Sequence, residues 1–221
     1  MTAQVGDKFE YNGKRYTYVM KTDHIGFSPR DYGITPAYTC TACWAGYWCE
    51  YSINENGLFL KNLFVNSMDD NYPDIEGVSV SGDEERSLVM GHHVYRRINK
   101  PMKYTGKLLL GNDFMPQYYV HMGYQGYWTY RELLQFVFVD GALVAVNDVS
   151  RIAAMKRRQL HEDKRSRFGK CPLEGAFGFT EAEYKSFCKG GEEAFLNDMA
   201  FNYPTLKPEQ TDETPLGDLS E

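Results

Sequence analysis

Residues 133–148, "LLQFVFVDGALVAVND", decide how the fold is read, because two apolar runs flank the dipeptide Asp140-Gly141. Asp and Gly tolerate the positive φ angles of a type I′ turn, whose twist matches that of two antiparallel strands. The stretch therefore predicts a β-hairpin.

Two earlier stretches show the same pattern. "KFEYNGKRYTYVM", residues 8–20, places Asn12-Gly13 between alternating apolar residues, and "YWCEYSINENGLFLKNLFV", residues 47–65, repeats the arrangement around Asn56-Gly57. Three hairpins with tight turns predict a mainly antiparallel β domain over residues 1–148.

The periodicity changes after Asp148. Ile152, Met155 and Leu160 form a sparse apolar stripe at helical spacing, and Thr180 with Glu183 forms a capping box. We therefore predict a short helical segment over residues 149–203, which makes the fold class α+β. Residues 204–221 contain three prolines and five acidic residues, a composition that predicts a disordered acidic tail.

A repeated order of motifs suggests an internal duplication. Tyr-x-Gly-Lys, Gly-Tyr-Trp and a hairpin follow one another twice, which indicates two diverged β units at about residues 8–66 and 100–148. The alternative is a chance match, because tyrosine and glycine are abundant in this chain. If the units are duplicated, Trp48 and Trp128 occupy equivalent, buried places.

The composition favours a globular protein with many aromatic contacts. The chain has 221 residues, a net charge of −6, and 17 tyrosines, which raise the aromatic share to 15%. Tyrosine combines a large apolar ring with a polar hydroxyl, so an excess fits both a β-rich core and a recognition surface. No secretory signal is visible, and no apolar run approaches the roughly 20 residues of a membrane span. Five cysteines do not indicate a disulfide framework, so we expect a cytoplasmic, reduced protein without a membrane contact.

The candidate metal and catalytic groups are incomplete. Cys40-x-x-Cys43 and nearby Cys49 lack the second ligand pair that structural zinc usually requires, and only His92-His93 could complete the set. The cysteines lack the local signatures of a redox helix or of a nucleophile with its base. We therefore predict no catalytic residue, no metal and no cofactor.

Two groups of residues are the candidate binding site. The first is an aromatic cluster that follows residue 117, and the second is the acidic loop within residues 66–85, which holds seven acidic residues and no basic one. The predicted binding residues are Tyr118, Tyr119, His121, Tyr124, Tyr127, Tyr130, Asp69, Asp70 and Asp74.

The leading hypothesis is a non-catalytic protein-binding module whose acidic loop attracts a basic protein partner, for example an immunity-type inhibitor that blocks a basic toxin. The alternative is a small-molecule-binding protein or hydrolase with a tyrosine-rich pocket between the two β units, using His121 or His92-His93. Residues 151–170 carry a net charge of +6, but no recognisable nucleic-acid-binding module accompanies them, so nucleic-acid binding is a weaker hypothesis.

Overall fold

The structure, a computed structural model, describes residues 3–38, 40–82, 93–121 and 123–162. Nine strands in this part form one sheet, in the order β5-β6-β4-β3-β1-β2-β7-β8-β9. The strands are β1 Lys8–Tyr11, β2 Lys14–Lys21, β3 Tyr47–Asn54, β4 Gly57–Val65, β5 Ser81–Gly82, β6 His93–Pro101, β7 Gly106–Phe114, β8 Tyr130–Val139 and β9 Ala142–Asp148. One α-helix in this part, α1, spans Ser150–Glu162, and short 3₁₀ turns cover Pro29–Tyr32, Pro116–Tyr118 and Tyr127–Thr129.

The prediction of a mainly β fold is confirmed, with one correction to the strand directions. Seven of the eight strand pairs are antiparallel, but β1 and β3 run parallel, with Lys8 opposite Glu50 and Tyr11 opposite Ile53. A parallel pair needs a long crossover, and residues 22–46 supply it between β2 and β3. The sheet is therefore mixed.

All three predicted hairpins form, and two have the expected turn. Asn12-Gly13 has φ angles of 49° and 73°, and Asp140-Gly141 has 49° and 84°, as a type I′ turn requires. The turn between β3 and β4 lies one residue earlier than predicted, at residues 55–56, because Asn54 pairs with Gly57. The side chain of Asn54 accepts a hydrogen bond from the backbone N–H of Asn56 and so fixes this turn.

The sheet curls so that its two outer parts meet. The Leu58 N–H on β4 donates to the Gly141 carbonyl in the β8–β9 turn, at 3.3 Å, and the Met102 N–H donates to the Leu58 carbonyl. One apolar cluster fills the inside of this curl, with Phe9 from β1 and Phe136 from β8 among its fully buried rings. The main core therefore lies between two parts of one curved sheet.

Two long connections close this inner core. The first, residues 22–46, contributes Ile25, Phe27 and Ile34, and the second, residues 66–80, contributes Ile75. Both stretches lack regular apolar periodicity, yet these four side chains are at most 4% exposed. The two connections are consequently part of the hydrophobic core as well as of the surface.

The outer face of the sheet carries two separate apolar clusters. One contains Trp128 with Ile152 and Ala153 of α1, and the other contains Trp48 with Phe64 and Cys43. Trp48 and Trp128 are 4% and 5% exposed, so the prediction that both are buried is confirmed.

The strand pairing gives the proposed duplication no support. Trp48 lies on β3, whose neighbours are β4 and β1, whereas Trp128 lies in a 3₁₀ turn that precedes β8. The strand after the first Tyr-x-Gly-Lys motif, β2, does not pair with β3, while its counterpart β7 pairs directly with β8. The duplication therefore stays a hypothesis.

The predicted helix after residue 149 is confirmed over Ser150–Glu162. The carboxylate of Asp148 accepts the Ser150 N–H at 2.9 Å, which satisfies a backbone donor at the helix start. The remaining predicted helices, up to residue 203, and the predicted tail 204–221 lie outside the described residues. Within the part of the chain that the structure describes, no helix is both long and apolar enough to cross a membrane.

Candidate protein-binding surface

Gln4 ties two loops together at one side of the sheet. Its side-chain amide donates to the Thr41 carbonyl at 2.7 Å, and its side-chain oxygen accepts the Trp44 N–H at 3.1 Å. Its backbone N–H donates to the Gly123 carbonyl at 2.8 Å. The β2–β3 connection and the β7–β8 connection therefore flank the N-terminal segment on either side.

A third loop joins this arrangement through backbone hydrogen bonds. The Ala37 N–H donates to the Asn66 carbonyl, and the Met68 N–H donates to the Thr35 carbonyl, at 2.7 and 2.8 Å. Gly46 permits close contact here, because a β-carbon at this position would lie 2.7 Å from the Ala37 carbonyl oxygen. The start of the acidic loop is thus fixed beside the Trp44 loop.

Most of the large apolar side chains that the described residues expose lie on these three loops or, for Phe114, at the end of β7 where the β7–β8 connection begins. Seven such side chains are known, and five of them belong to this region: Tyr38, Trp44, Met68, Phe114 and Tyr119. Met68 is 73% exposed and Trp44 is 59% exposed. We refer to these five side chains as the aromatic surface. Phe114 and Tyr119 contact each other, with ring centroids 6.5 Å apart. Exposed apolar side chains scattered singly need no explanation, whereas several on connected loops are typical of an interaction site.

The aromatic surface has an acidic neighbour. Asp69 and Asp70 follow Met68 directly, and they and Asp74 are exposed. The Ser67 hydroxyl donates to Asp69 and lowers the pKa of this carboxyl. Within the described residues, Asp70 and Asp74 form no ion pair, so their charges face solvent.

The acidic loop is held firmly in this position. The Tyr95 hydroxyl donates to the Pro73 carbonyl at 2.9 Å, and the Tyr72 hydroxyl accepts the Ser67 N–H at 3.0 Å. Glu76 is bound by both Lys100 and the Tyr32 hydroxyl, which lower its pKa. A loop held at several points loses little conformational freedom when a partner binds.

The structure separates the predicted tyrosine cluster into core and surface members. Tyr127 and Tyr130 are at most 3% exposed and belong to the outer cluster around Trp128, and burial raises the pKa of Tyr130 to about 12. Both are therefore core side chains that pack beneath α1 and are not part of the exposed surface. Tyr119 and His121 are exposed, with ring centroids 6.4 Å apart. A binding role for them stays a prediction.

Tyr118 takes part in fixing the helix. Its ring lies 5.9 Å from the guanidinium of Arg157, and that group also donates to the carbonyls of Trp128 and Tyr130, at 3.0 and 2.7 Å. Burial lowers the pKa of Arg157. Helix α1 is thereby anchored to the turn that carries Trp128.

Tyr124 lies near the carboxyl of Asp7 at the inner face of the sheet, a grouping that the sequence did not predict. Its ring packs edge-on against Tyr18, with centroids 5.5 Å apart, and burial together with the nearby Asp7 carboxyl raises its pKa. Asp7 itself accepts the Cys49 N–H at 2.8 Å. Burial raises the pKa of Asp7, although this hydrogen bond and Lys21 oppose the shift.

The three described cysteines do not converge on one point. Cys43 belongs to the outer cluster with Trp48, while Cys49 is 1% exposed in the inner core, where burial raises its pKa well above the usual value. Cys40 packs against the outer cluster. Over the described ranges, no three His, Cys, Asp or Glu side chains are grouped as metal ligands. His92, the other candidate ligand beside His93, lies outside these ranges.

Comparison with known proteins gives no further guide, because no family model, no curated protein and no solved structure matches this chain significantly. Tyr38, Trp44, Met68 and Phe114 were not predicted as contacts from the sequence, because apolar residues are expected inside a protein. The sequence signals for two of them were the irregularity of residues 21–38, which end at Tyr38, and the position of Met68 in the acidic loop, since long irregular connections are commonly functional.

Proposed function

We propose that this protein is a non-catalytic binding module that recognises a basic protein partner through the aromatic surface and the adjacent acidic loop. The supporting observation is that exposed apolar side chains, above all Trp44 and Met68, lie on or at the ends of three loops held together by Gln4 and by backbone hydrogen bonds.

The residue types suit this role. Trp, Tyr, Phe and Met are enriched at protein interfaces, where large side chains contribute most of the binding energy. Asp69, Asp70 and Asp74 provide the negative rim that accelerates encounter with a positively charged partner. A basic toxin blocked by an immunity-type inhibitor is one pair that meets this description.

The test is quantitative capture of partners from native lysate on the immobilised full-length chain, with substituted chains in parallel. We expect one stoichiometric, basic protein whose affinity falls roughly 30-fold or more for Trp44→Ala, as for an interface residue worth about 2 kcal/mol. Asp70→Asn with Asp74→Asn should weaken capture and reduce its dependence on salt.

Val144→Ala is the matched control. Val144 is 55% exposed but lies at the bulge in the β8–β9 hairpin, outside the aromatic surface. Its truncation should leave binding unchanged. A partner retained equally by Trp44→Ala and Val144→Ala would contradict the proposal, as would a partner with an acidic surface.

One observation favours the alternative of a small-molecule site. Asp7 accepts the Cys49 N–H at 2.8 Å. Burial raises the pKa of Asp7, Tyr47, Cys49 and Tyr124, and the Asp7 carboxyl contributes to the shift of the other three. Such a group of weakly solvated donors and acceptors can hold a polar ligand. If a metabolite copurifies with the wild-type chain and is lost from Asp7→Asn but not from Trp44→Ala, this second function is supported instead.

A further inference from the structure

The segment Cys40-Thr41-Ala42-Cys43 makes a tight turn whose two cysteine side chains pack on the same side. The Cys43 N–H donates to the Cys40 carbonyl at 3.2 Å, which closes a four-residue turn. Both side chains contact the outer cluster of Trp48 and Phe64. In a turn of this kind the first and fourth Cα atoms lie less than about 7 Å apart, and a disulfide spans about 4.4–6.8 Å.

We propose that Cys40 and Cys43 form a reversible disulfide by exchange with a small disulfide such as oxidised glutathione, which makes this turn a redox modification site. The proposal goes beyond partner binding and does not depend on it. It adds a covalent change to the loop that carries Trp44.

The two cysteines differ in the access that each step requires. Cys40 is partly exposed and can meet a solute, whereas Cys43 is 5% exposed. The Cys40 thiolate attacks one sulfur of oxidised glutathione, the glutathione S–S bond breaks, and one glutathione thiolate leaves. The Cys43 thiolate then attacks the Cys40 sulfur and expels the second glutathione. The protein loses two protons and two electrons, and oxidised glutathione becomes two reduced molecules.

The surroundings of Cys43 set the rate of the second step. Burial raises the pKa of Cys43, and its thiol donates weakly to the Tyr47 carbonyl at 3.5 Å. Because the thiolate is the attacking species, exchange should accelerate as the pH rises toward this raised pKa. Cys49 takes no part, because its side chain lies in the inner core on the opposite face of the sheet.

The test uses the full chain with Cys171→Ser and Cys188→Ser, so that Cys40, Cys43 and Cys49 are the remaining cysteines. The protein is equilibrated in glutathione buffers from reducing to oxidising, alkylated, digested and analysed by mass spectrometry. We expect the peptide with Cys40 and Cys43 to lose two hydrogen atoms and both alkylation sites together in oxidising buffer, and to regain them in reducing buffer.

Two substitutions make the result decisive. Cys43→Ser should stop the reaction at a stable glutathione adduct on Cys40, while Cys49→Ser should leave disulfide formation unchanged. In the parent chain, two alkylated thiols in every buffer, or an adduct on Cys40 that persists without resolution, would overturn the proposal. Fluorescence adds a second readout, because Trp44 follows Cys43 directly and Trp48 shares a cluster with Cys43; the emission of the chain that keeps both cysteines should change reversibly between reducing and oxidising buffer.

Discussion

The two Gly-Tyr-Trp segments reach the same degree of burial by different means. Trp48 lies on a strand and stacks face to face on Phe64, with ring centroids 3.9 Å apart and planes 3° from parallel. Trp128 lies in a 3₁₀ turn, edge-on to Tyr127 at 5.2 Å, beneath helix α1. The same triplet therefore does not specify one local structure, and the surroundings of each segment decide its backbone.

Each region also places a carboxylate on the inner face, with opposite consequences. Asp7 is bound to the backbone of Cys49, next to Trp48, and burial raises its pKa. Glu132, four residues after Trp128, accepts hydrogen bonds from Lys14, Tyr16 and Asn112. Burial, the largest influence on Glu132, raises its pKa, but these three bonds together lower it below the usual value. Hydrogen bonds therefore outweigh the cost of burying the charge of Glu132, but they do not outweigh it for Asp7.

The largest expected effect is loss of either buried tryptophan. Trp48→Ala and Trp128→Ala should each lower the free energy of unfolding by about 3–5 kcal/mol, because a large side chain is removed from a packed cluster. The two losses should add within about 0.5 kcal/mol in the double variant, since the clusters share no side chain. Chemical denaturation of the four proteins measures this, and strong coupling between the sites would show that the clusters are one unit.

A second, smaller difference in stability is expected at the first glycine of each Gly-Tyr-Trp segment, Gly46 and Gly126. Gly46 has φ +75° and faces the Ala37 carbonyl, so Gly46→Ala combines backbone strain with a clash against backbone. Gly126 has φ −69°, and an added β-carbon would lie 2.5 Å from the Trp128 ring. Gly46→Ala should cost about 2–3 kcal/mol and Gly126→Ala about 1–2 kcal/mol. Denaturation midpoints in the reverse order would contradict this account of the two positions.

The fold was predictable where the information is local. Asn12-Gly13 and Asp140-Gly141 fix their turns by their own φ preferences, and the hairpins follow. The parallel pairing of β1 with β3 was not predictable, because it depends on where a long connection returns the chain. The burial of Ile25, Phe27 and Ile75 was also hidden, since irregular segments carry no periodic pattern that marks their core side chains.

The candidate site was predictable only in part. The acidic residues Asp69, Asp70 and Asp74 are exposed, as charged side chains in a polar loop usually are. Alternation on a strand could not separate exposed Tyr119 from buried Tyr127, because both lie outside the strands. The grouping of Asp7 with Tyr47, Cys49 and Tyr124 was not predictable, because these residues are brought together from the segment before β1, from β3 and from the β7–β8 connection.

The two carboxylates predict opposite pH dependences. At pH values between the ordinary pKa and the raised folded pKa, Asp7 binds more protons in the folded chain than in the unfolded chain. Its contribution to the free energy of unfolding therefore falls as the pH rises through this window. The folded pKa of Glu132 is lowered, so its contribution is present above the ordinary pKa and is lost as pH falls. The free energy of unfolding of Asp7→Asn, relative to that of wild type, should rise from acidic to neutral pH. The same difference for Glu132→Gln should fall over this range. Chemical denaturation at several pH values measures both differences. If the two differences changed with pH in the same direction, the contrast between Asp7 and Glu132 would be wrong.

The smallest effect on stability is expected at the third tryptophan, because it is exposed whereas the other two are buried. Trp44 is 59% exposed, while Trp48 and Trp128 are at most 5% exposed. Trp44→Phe should therefore change the free energy of unfolding by no more than about 0.5 kcal/mol, as surface substitutions usually do. Iodide should quench part of the wild-type fluorescence, and that quenchable part should disappear in Trp44→Phe, because a charged quencher does not reach the two buried indoles. Trp48→Phe is the matched control and should leave the quenchable part in place. If iodide still quenched Trp44→Phe as strongly as wild type, one of the two Gly-Tyr-Trp regions would have to open in solution, and the equal burial of their tryptophans would no longer describe the protein.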